Sequence, residues 1–211
     1  MVRSRIYGLY AVTPDAQDTA ALALKVRQAV EGGARALQYR NKSSGARARH
    51  EQAQALLAIC RGARVPMIVN DDVELALSIG ADGVHIGRED GDIALVRKRA
   101  GKNLLLGVSC YNRIELALAA VELGADYVAF GSAFSSPTKP AAVHAPLELF
   151  REARGSLAVP IVAIGGITPQ NGRLLIDAGA DAVAVISALF DAPDVGAAAT
   201  AFDQLFTERD S

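Results

Sequence analysis

The sequence predicts a single-domain α/β chain folded as a closed (β/α)8 barrel, and three observations point there. Short apolar runs alternate with helix-period segments along all 211 residues. The runs read as nearly continuous apolar stretches rather than alternating ones, as parallel strands covered on both faces do. Polar and charged residues stand where the runs end and hardly anywhere inside them. In parallel α/β folds ligands bind beyond the carboxyl ends of the strands, so these endings face one composite site, as in an enzyme.

The runs place strands near Ile6–Val12, Ala36–Arg40, Met67–Asn70, Gly83–Ile86, Leu104–Val108, Tyr127–Phe130, Ile161–Ile164 and Ala182–Ile186. Between them, helical periodicity covers Thr19–Glu31, Arg47–Cys60, Val73–Ser78, Ile93–Arg99, Ile114–Leu123, Leu147–Glu152 and Pro169–Asp177. A last helix, Val195–Phe206, precedes a polar tail from about residue 207. Punctuation agrees: Gly80-Ala81-Asp82, Gly124-Ala125-Asp126 and Gly179-Ala180-Asp181 each separate a helix from the next strand, with Gly32-Gly33-Ala34 in the same role earlier. Glycine suits a left-handed helix C-terminus there. Thr168-Pro169 reads as a helix start, threonine capping and proline in the first turn.

Eight such units in one chain suit a TIM barrel at the short end of its size range. An open doubly wound sheet is the competitor, but Val12-Thr13-Pro14-Asp15 does not match its early glycine-rich dinucleotide turn. With no linker and no low-complexity stretch, residues 1–211 read as one domain.

A net charge of −1 excludes a global field for nucleic acid or an acidic membrane, so an anion must be held by local charge. No apolar stretch is long enough to span a bilayer, and there is no tryptophan to stack single-stranded bases. Cys60 and Cys110 have neither metal-ligand spacing nor a framework, which favours a reducing, cytoplasmic setting. The first residues lack the apolar core and cleavage site of a secretory signal. The expected partners are small molecules, with neither nucleic acid nor membrane. A homo-oligomer is allowed, and nothing in the sequence fixes it.

Gln38, Arg40 and Lys42 are two apart, so an extended strand places them on one face, opposite Leu37 and Tyr39. A guanidinium in a barrel mouth needs an anion. Either a structural salt bridge or a bound phosphate supplies it, and arginine's fork with lysine's point charge suits a diphosphate. Asn70-Asp71-Asp72 and Glu89-Asp90 end adjacent strands, and such carboxylates can share a Mg²⁺ that completes its octahedron with water and phosphate oxygens. The alternative is helix capping, expected for one of Asp71 and Asp72 and for Asp90 or Asp92. Gly165-Gly166 and Ser187, after the last two strands, sit where such barrels bind phosphate. Lys139 lies in a hydroxyl-rich loop, Ser135-Ser136-Pro137-Thr138-Lys139, able to fold over an anion. No histidine arrangement marks Ser109 as a nucleophile, and Cys110 has no activating partner. His85, inside an apolar strand, reads as a hydrogen-bonded core residue. His50 and His144 read as surface residues.

In this order the motifs resemble the thiamine-phosphate synthase family over nearly the whole chain. The matching stretches are Gln38-Tyr39-Arg40-Asn41-Lys42, Val69-Asn70-Asp71, Gly83 to Asp90, Gly107-Val108-Ser109, Phe130-Gly131, Pro137-Thr138-Lys139 and Ala163-Ile164-Gly165-Gly166-Ile167. The resemblance implies a Mg²⁺-dependent transferase that joins hydroxymethylpyrimidine diphosphate to thiazole phosphate, giving thiamine phosphate and pyrophosphate. It implies that Gln38, Arg40, Lys42, Asn70 and Lys139 bind the diphosphate, that Asp71 and Asp90 hold Mg²⁺, and that Ser109 lies beside the pyrimidine diphosphate. Ser136, Thr138, Gly166, Ile186 and Ser187 would serve the thiazole phosphate. Arg40, Lys42, Lys139 and Ser109 would carry the chemistry.

Two positions depart from the family pattern: Arg88 stands where glutamine is usual, and Ser135 follows Phe134 where proline is common, removing a rigid φ angle. A related isomerase, the thiazole tautomerase, is the first rival; Asp71, Asp90, Lys42 and Lys139 together argue against it. A phosphate-sensing barrel without catalysis is the second. A Schiff-base aldolase would need a lysine within an apolar strand run, and none is there.

Overall fold

The structure, a computed structural model, describes residues 6–87, 91–135 and 143–207. The strands are β1 (Gly8–Val12), β2 (Ala36–Tyr39), β3 (Met67–Asn70), β4 (Gly83–Ile86), β5 (Leu105–Tyr111), β6 (Tyr127–Phe130), β7 (Ile161–Ile164) and β8 (Ala182–Val185). They pair in parallel in chain order, and β8 returns to β1 through Gly8↔Ala182 and Leu9↔Val183, closing the barrel. The helices α1 (Thr19–Glu31), α2 (Ala46–Ala63), α3 (Val73–Ile79), α4 (Ile93–Ala100), α5 (Ile114–Glu122), α6 (Leu147–Ser156), α7 (Gly172–Asp177), α8 (Ser187–Phe190) and α9 (Val195–Thr207) complete the βα units. None of the described helices is long and apolar enough to cross a membrane.

Alternation along each strand splits the core in two. Tyr10, Val12, Ala36, Ile68, Tyr127, Ala129, Val162 and Ala184 fill the barrel interior. Leu9, Leu37, Val69, Val84, Leu106, Val128, Ala163 and Val183 face outward against the helices. Both faces are buried, which is why the strands read as unbroken apolar runs. Gly107 is required by a close approach: a Cβ there would lie 2.0 Å from Cζ of Tyr127.

The Gly-Ala-Asp punctuation does more than turn the chain. Gly80 caps α3 at φ 69°, in the left-handed region expected of it. Each following aspartate then accepts a backbone N–H from the preceding strand. Asp82 bonds Met67 N (2.9 Å), Asp126 bonds Leu106 N (2.8 Å) and Asp181 bonds Ile161 N (2.8 Å). Arg97 pairs with Asp126 and Arg154 with Asp181, so the face opposite the site is tied by charge-assisted bonds.

Several boundaries differ from the sequence reading, and four differences shape the strand ends and their turns. β2 stops at Tyr39, where Arg40 N donates to Thr13 Oγ1 instead of continuing a ladder. β5 runs past Val108 to Tyr111, and its register against β6 shifts between Ser109 and Tyr111. α7 begins at Gly172 rather than Pro169: Asn171 Oδ1 accepts the N–H of Thr168, making a separate turn there. α8, a helix of four residues just after β8, is too short to show a period.

Candidate active site

The carboxyl ends of β1, β2 and β3 are built as one unit. Thr13, fully buried, donates from Oγ1 to Arg40 O and accepts from Arg40 N, both at 2.8 Å, locking the end of β2 to that of β1. Beyond it, Asn41 Oδ1 accepts N–H groups of Ser43 (3.1 Å) and Ser44 (3.2 Å) in a local turn. Its Nδ2 donates to Ala16 O and to Oε1 of the buried Gln52 on α2, and that Oε1 also accepts the Tyr39 hydroxyl at 2.9 Å. Burial holds the Tyr39 hydroxyl up to about 12, so it remains a donor.

The expectation that strand alternation aligns Gln38, Arg40 and Lys42 is corrected here. Alternation holds for Gln38, which points into the barrel and reaches Tyr10. Arg40 lies at the strand end and Lys42 beyond it, so the Asn41 turn positions Lys42 instead. Both cations have carboxylate partners. Arg40 Nη1 lies 3.2 Å from Asp15 Oδ1, and Lys42 Nζ lies 3.3 Å from Asp71 Oδ2. Asp15 Oδ1 also accepts the Lys42 N–H at 2.7 Å. The bland reading of Arg40, an ion pair with a neighbouring strand end, therefore holds in this state.

After β3 the two carboxylates separate. Asp72 caps α3 by accepting Leu75 N at 2.9 Å, so it is the capping member of the pair. Asp71 takes φ 63°, a left-handed conformation that aspartate tolerates better than most residues, and turns away from the helix. It lines a cleft of about 430 Å³ with Asn41, Lys42, Arg49, Asn70 and Asp72. Asp92 likewise caps α4, accepting Ala94 N at 2.8 Å. Among the described residues no cluster of three metal-ligating side chains occurs. A hard cation that keeps water and phosphate oxygens needs fewer, and an oxygen ligand at the cleft suits one. Asp90, the second expected ligand, lies outside the described residues, as do Arg88, Ser136, Thr138 and Lys139.

Across the barrel floor runs a hydrogen-bonded chain that sequence reasoning did not find. Gln38 Nε2 donates to Tyr10 Oη (3.1 Å), Tyr10 Oη meets Tyr127 Oη (2.8 Å), Tyr127 Oη meets His85 Nδ1 (3.0 Å), and His85 Nε2 meets Ser109 Oγ (2.9 Å). His85 is thus a hydrogen-bonded core histidine, 7% exposed, stacked on Tyr127 at 5.5 Å. The sequence marks no histidine arrangement around Ser109, yet β4 and β5 pair His85 with Gly107, so its ring reaches the next inward residue of β5. The two tyrosines read as apolar strand residues, and only the inward period of β1 and β6 could have flagged them.

On the other side, Gly165 (φ 103°) and Gly166 (φ 63°) form the turn after β7. A Cβ on Gly166 would lie 2.5 Å from Ser135 O and 2.7 Å from Phe134 O, so any larger residue pushes the β6–α6 loop. Ile186 and Ser187 begin α8 directly after β8. His144 is exposed, His50 half-buried on α2. Cys60 and Cys110 are free and buried, and burial pushes both thiols up to about 12, far from a reactive thiolate.

Comparison with known proteins agrees with this arrangement. Residues 9–189 match the family model described as thiamine monophosphate synthase. A thiamine-phosphate synthase of Aromatoleum aromaticum is 53% identical over 206 residues, covering 98% of this chain and 99% of that protein. One from Chromobacterium violaceum is 56% identical over 205 residues, covering 97% and 99%. The solved thiamine phosphate pyrophosphorylase of Pyrococcus furiosus superposes with a TM-score of 0.86 at 36% identity, covering 99% of this chain and 98% of that one. With a closed eightfold barrel and its polar groups gathered at the strand ends, the chain is an enzyme, a transferase, and it belongs to the thiamine monophosphate synthase family.

Proposed function

We propose that this enzyme transfers the hydroxymethylpyrimidine group from its diphosphate to the ring nitrogen of thiazole phosphate, releasing pyrophosphate. The observation that supports it most is the two held cations beyond β2: Arg40 pairs with Asp15, and Lys42 pairs with Asp71, the latter pair lining an open cleft. Two cations already held at the mouth can exchange carboxylate partners for diphosphate oxygens. The side chains are partly exposed, so the exchange costs little: exposed ion pairs are worth ~0–1 kcal/mol.

The reaction breaks the bond between the pyrimidine methylene carbon and the diphosphate oxygen, and the electron pair leaves with pyrophosphate. Arg40, Lys42 and Lys139 bind the departing charge, and the Thr13 bonds and the Asn41 turn fix the backbone of Arg40 and Lys42 before the bond breaks. The amino-substituted ring delocalises the positive charge left on the methylene carbon. The thiazole nitrogen then supplies the electron pair of the new carbon–nitrogen bond. Gly166, Ile186 and Ser187, with Ser136 and Thr138, anchor the thiazole phosphate and aim that nitrogen. Asn70 and Gln38 line the pyrimidine side, with Ser109 below it. Asp71 and Asp90 would hold a Mg²⁺ ion, which offsets diphosphate charge when bound. No protein nucleophile enters this scheme.

The purified enzyme, given both substrates, is expected to release pyrophosphate only when both are present and to depend on Mg²⁺. Release from the pyrimidine diphosphate alone would indicate a hydrolase, and no release from folded enzyme with both ligands bound would refute the transfer.

A further inference from the structure

We propose that the buried chain Gln38–Tyr10–Tyr127–His85–Ser109 has a fixed direction, which makes Tyr10 and Tyr127 positioning residues and sets the Ser109 hydroxyl as a hydrogen-bond donor to substrate. The use of Ser109 rests on the transferase reading above; the direction of the chain does not.

The direction follows from counting protons. Each tyrosine has one hydroxyl proton to give, and both keep it, because burial pushes both phenols well above their ordinary range. Gln38 presents Nε2 to Tyr10, so the Tyr10 oxygen accepts there and its own proton must go elsewhere. The other described partner of that hydroxyl is Tyr127. Tyr127 therefore accepts from Tyr10 and gives its proton to His85 Nδ1. Nδ1, as an acceptor, leaves the proton of a neutral ring on Nε2, and Nε2 donates to Ser109 Oγ.

The opposite direction, with His85 donating to Tyr127 and Tyr127 to Tyr10, would give the Tyr10 oxygen two donors. Its own proton would then have no acceptor at a site 1% exposed. A buried donor without a partner is strongly disfavoured. Gln38 is thus the residue that sets the sense of the whole chain.

Two consequences follow for Ser109. His85 cannot take its proton, because His85 is already donating to it. A histidine 2.9 Å from a serine has the distance of a nucleophile–base pair, but here the polarity is reversed. Among the described residues Ser109 Oγ has no second partner, so its hydroxyl proton is available to an acceptor on the bound substrate. At the other end Gln38 Oε1 keeps an acceptor. An aminopyrimidine carries both matching groups, ring nitrogens that accept and an exocyclic amine that donates.

The chain has three histidines, His50, His85 and His144, which makes a direct test practical. Long-range proton–nitrogen NMR on the full chain carrying ¹⁵N-histidine, at about pH 8, above the ordinary histidine range, reads each ring's tautomer. His50→Gln and His144→Gln assign the signals. His85 is expected with its proton on Nε2 in the free enzyme. A proton on Nδ1, an exchanging mixture or a doubly protonated ring would overturn the proposed direction.

In Tyr127→Phe the preference for Nε2–H should weaken. Turnover should fall about five- to tenfold, the worth of one hydrogen bond, with KM for thiazole phosphate unchanged. Should that variant fail to fold, the wild-type tautomer still decides the direction. An Nε2–H ring combined with unchanged turnover in Ser109→Ala would keep the direction and refute the use of Ser109, a failure of the functional reading alone.

Discussion

Gly107→Ala should be among the most disruptive single-atom additions to this barrel. The added Cβ would stand 2.0 Å from Cζ, 2.3 Å from Oη and 2.5 Å from Cε1 of Tyr127, whose ring is fully buried. The ring cannot be pushed aside freely, because its hydroxyl is held by Tyr10 at 2.8 Å and His85 at 3.0 Å. Overpacking alone costs about 1–3 kcal/mol, and loss of one buried partner adds about 1–3 kcal/mol. A total of roughly 2–6 kcal/mol corresponds to a Tm lower by about 4–24 °C for a chain of this length. Gly62→Ala and Gly155→Ala are the controls. Both lie in helices with nothing within 4 Å of the new Cβ, so each should be neutral or stabilising by up to about 1 kcal/mol. Thermal unfolding followed by circular dichroism reads all three. The mechanism is isolated by repeating Gly107→Ala in a Tyr127→Leu background, since leucine lacks the three atoms in question. Its cost should then shrink by at least about 1–2 kcal/mol as coupled neighbours require. Strict additivity of the two substitutions would refute the steric account.

Other expectations follow from the same geometry. Asp71→Ala and Asp90→Ala should cripple turnover at limiting Mg²⁺ while circular dichroism stays native; near-normal rates in both would remove the metal assignment. Ser187→Ala should raise KM for thiazole phosphate more than KM for the pyrimidine diphosphate, and equal changes would count against two separate anion sites. Gln52→Leu should destabilise the fold by about 3–5 kcal/mol in denaturant unfolding, because Tyr39, Asn41 and Ala16 all lose a buried partner. Both cysteine thiols are held near 12 in the folded state against about 8.5 when unfolded. The folded chain then keeps protons that the unfolded one loses, so stability should decline as pH rises from about 8.5 towards 12. Cys60→Ala/Cys110→Ala should flatten that decline.

Much of the architecture was legible because a parallel barrel buries both faces of its strands. Unbroken runs such as Ile161–Ile164 and Tyr127–Phe130 marked elements to the residue, and polar positions could only stand at their ends. Helix ends that rest on glycine, such as Gly80, were equally plain. What escaped was long-range. Tyr10 and Tyr127 are 117 positions apart, and neither is polar enough to interrupt an apolar run, so nothing local announced that their hydroxyls meet. His85 and Ser109 were both noticed, but not their contact, which depends on the register between β4 and β5. The roles of Asp15 and Thr13 in holding Arg40 likewise arise from the closure of β1 onto β2. The aspartates of the Gly-Ala-Asp repeats looked like turn residues because their partners lie at least 15 residues earlier.

The end of β3 shows how local conformation is used to divide two identical side chains. In an ordinary strand-to-helix turn Asp71 and Asp72 would compete for the same exposed helix N–H groups. Instead Asp71 N donates to His85 O on the neighbouring strand, and Asp72 N returns to Asn70 O. That pair of bonds forces φ 63° at Asp71. Left-handed backbone costs roughly 1–2 kcal/mol for an L-residue, less for aspartate, and glycine would remove the cost. A carboxylate kept at this position, beside Lys42 and pointing into the cleft, therefore costs stability that glycine would restore. Residues that hold such conformations cluster at functional sites. The same β-strand pairing that sets Asp71 also carries His85, whose ring ends the proton-ordered chain to Ser109. One backbone bond thus joins the turn that carries Asp71 to the strand that carries His85. Asp71→Gly should therefore raise the Tm, and an unchanged or lower Tm would refute the strain reading.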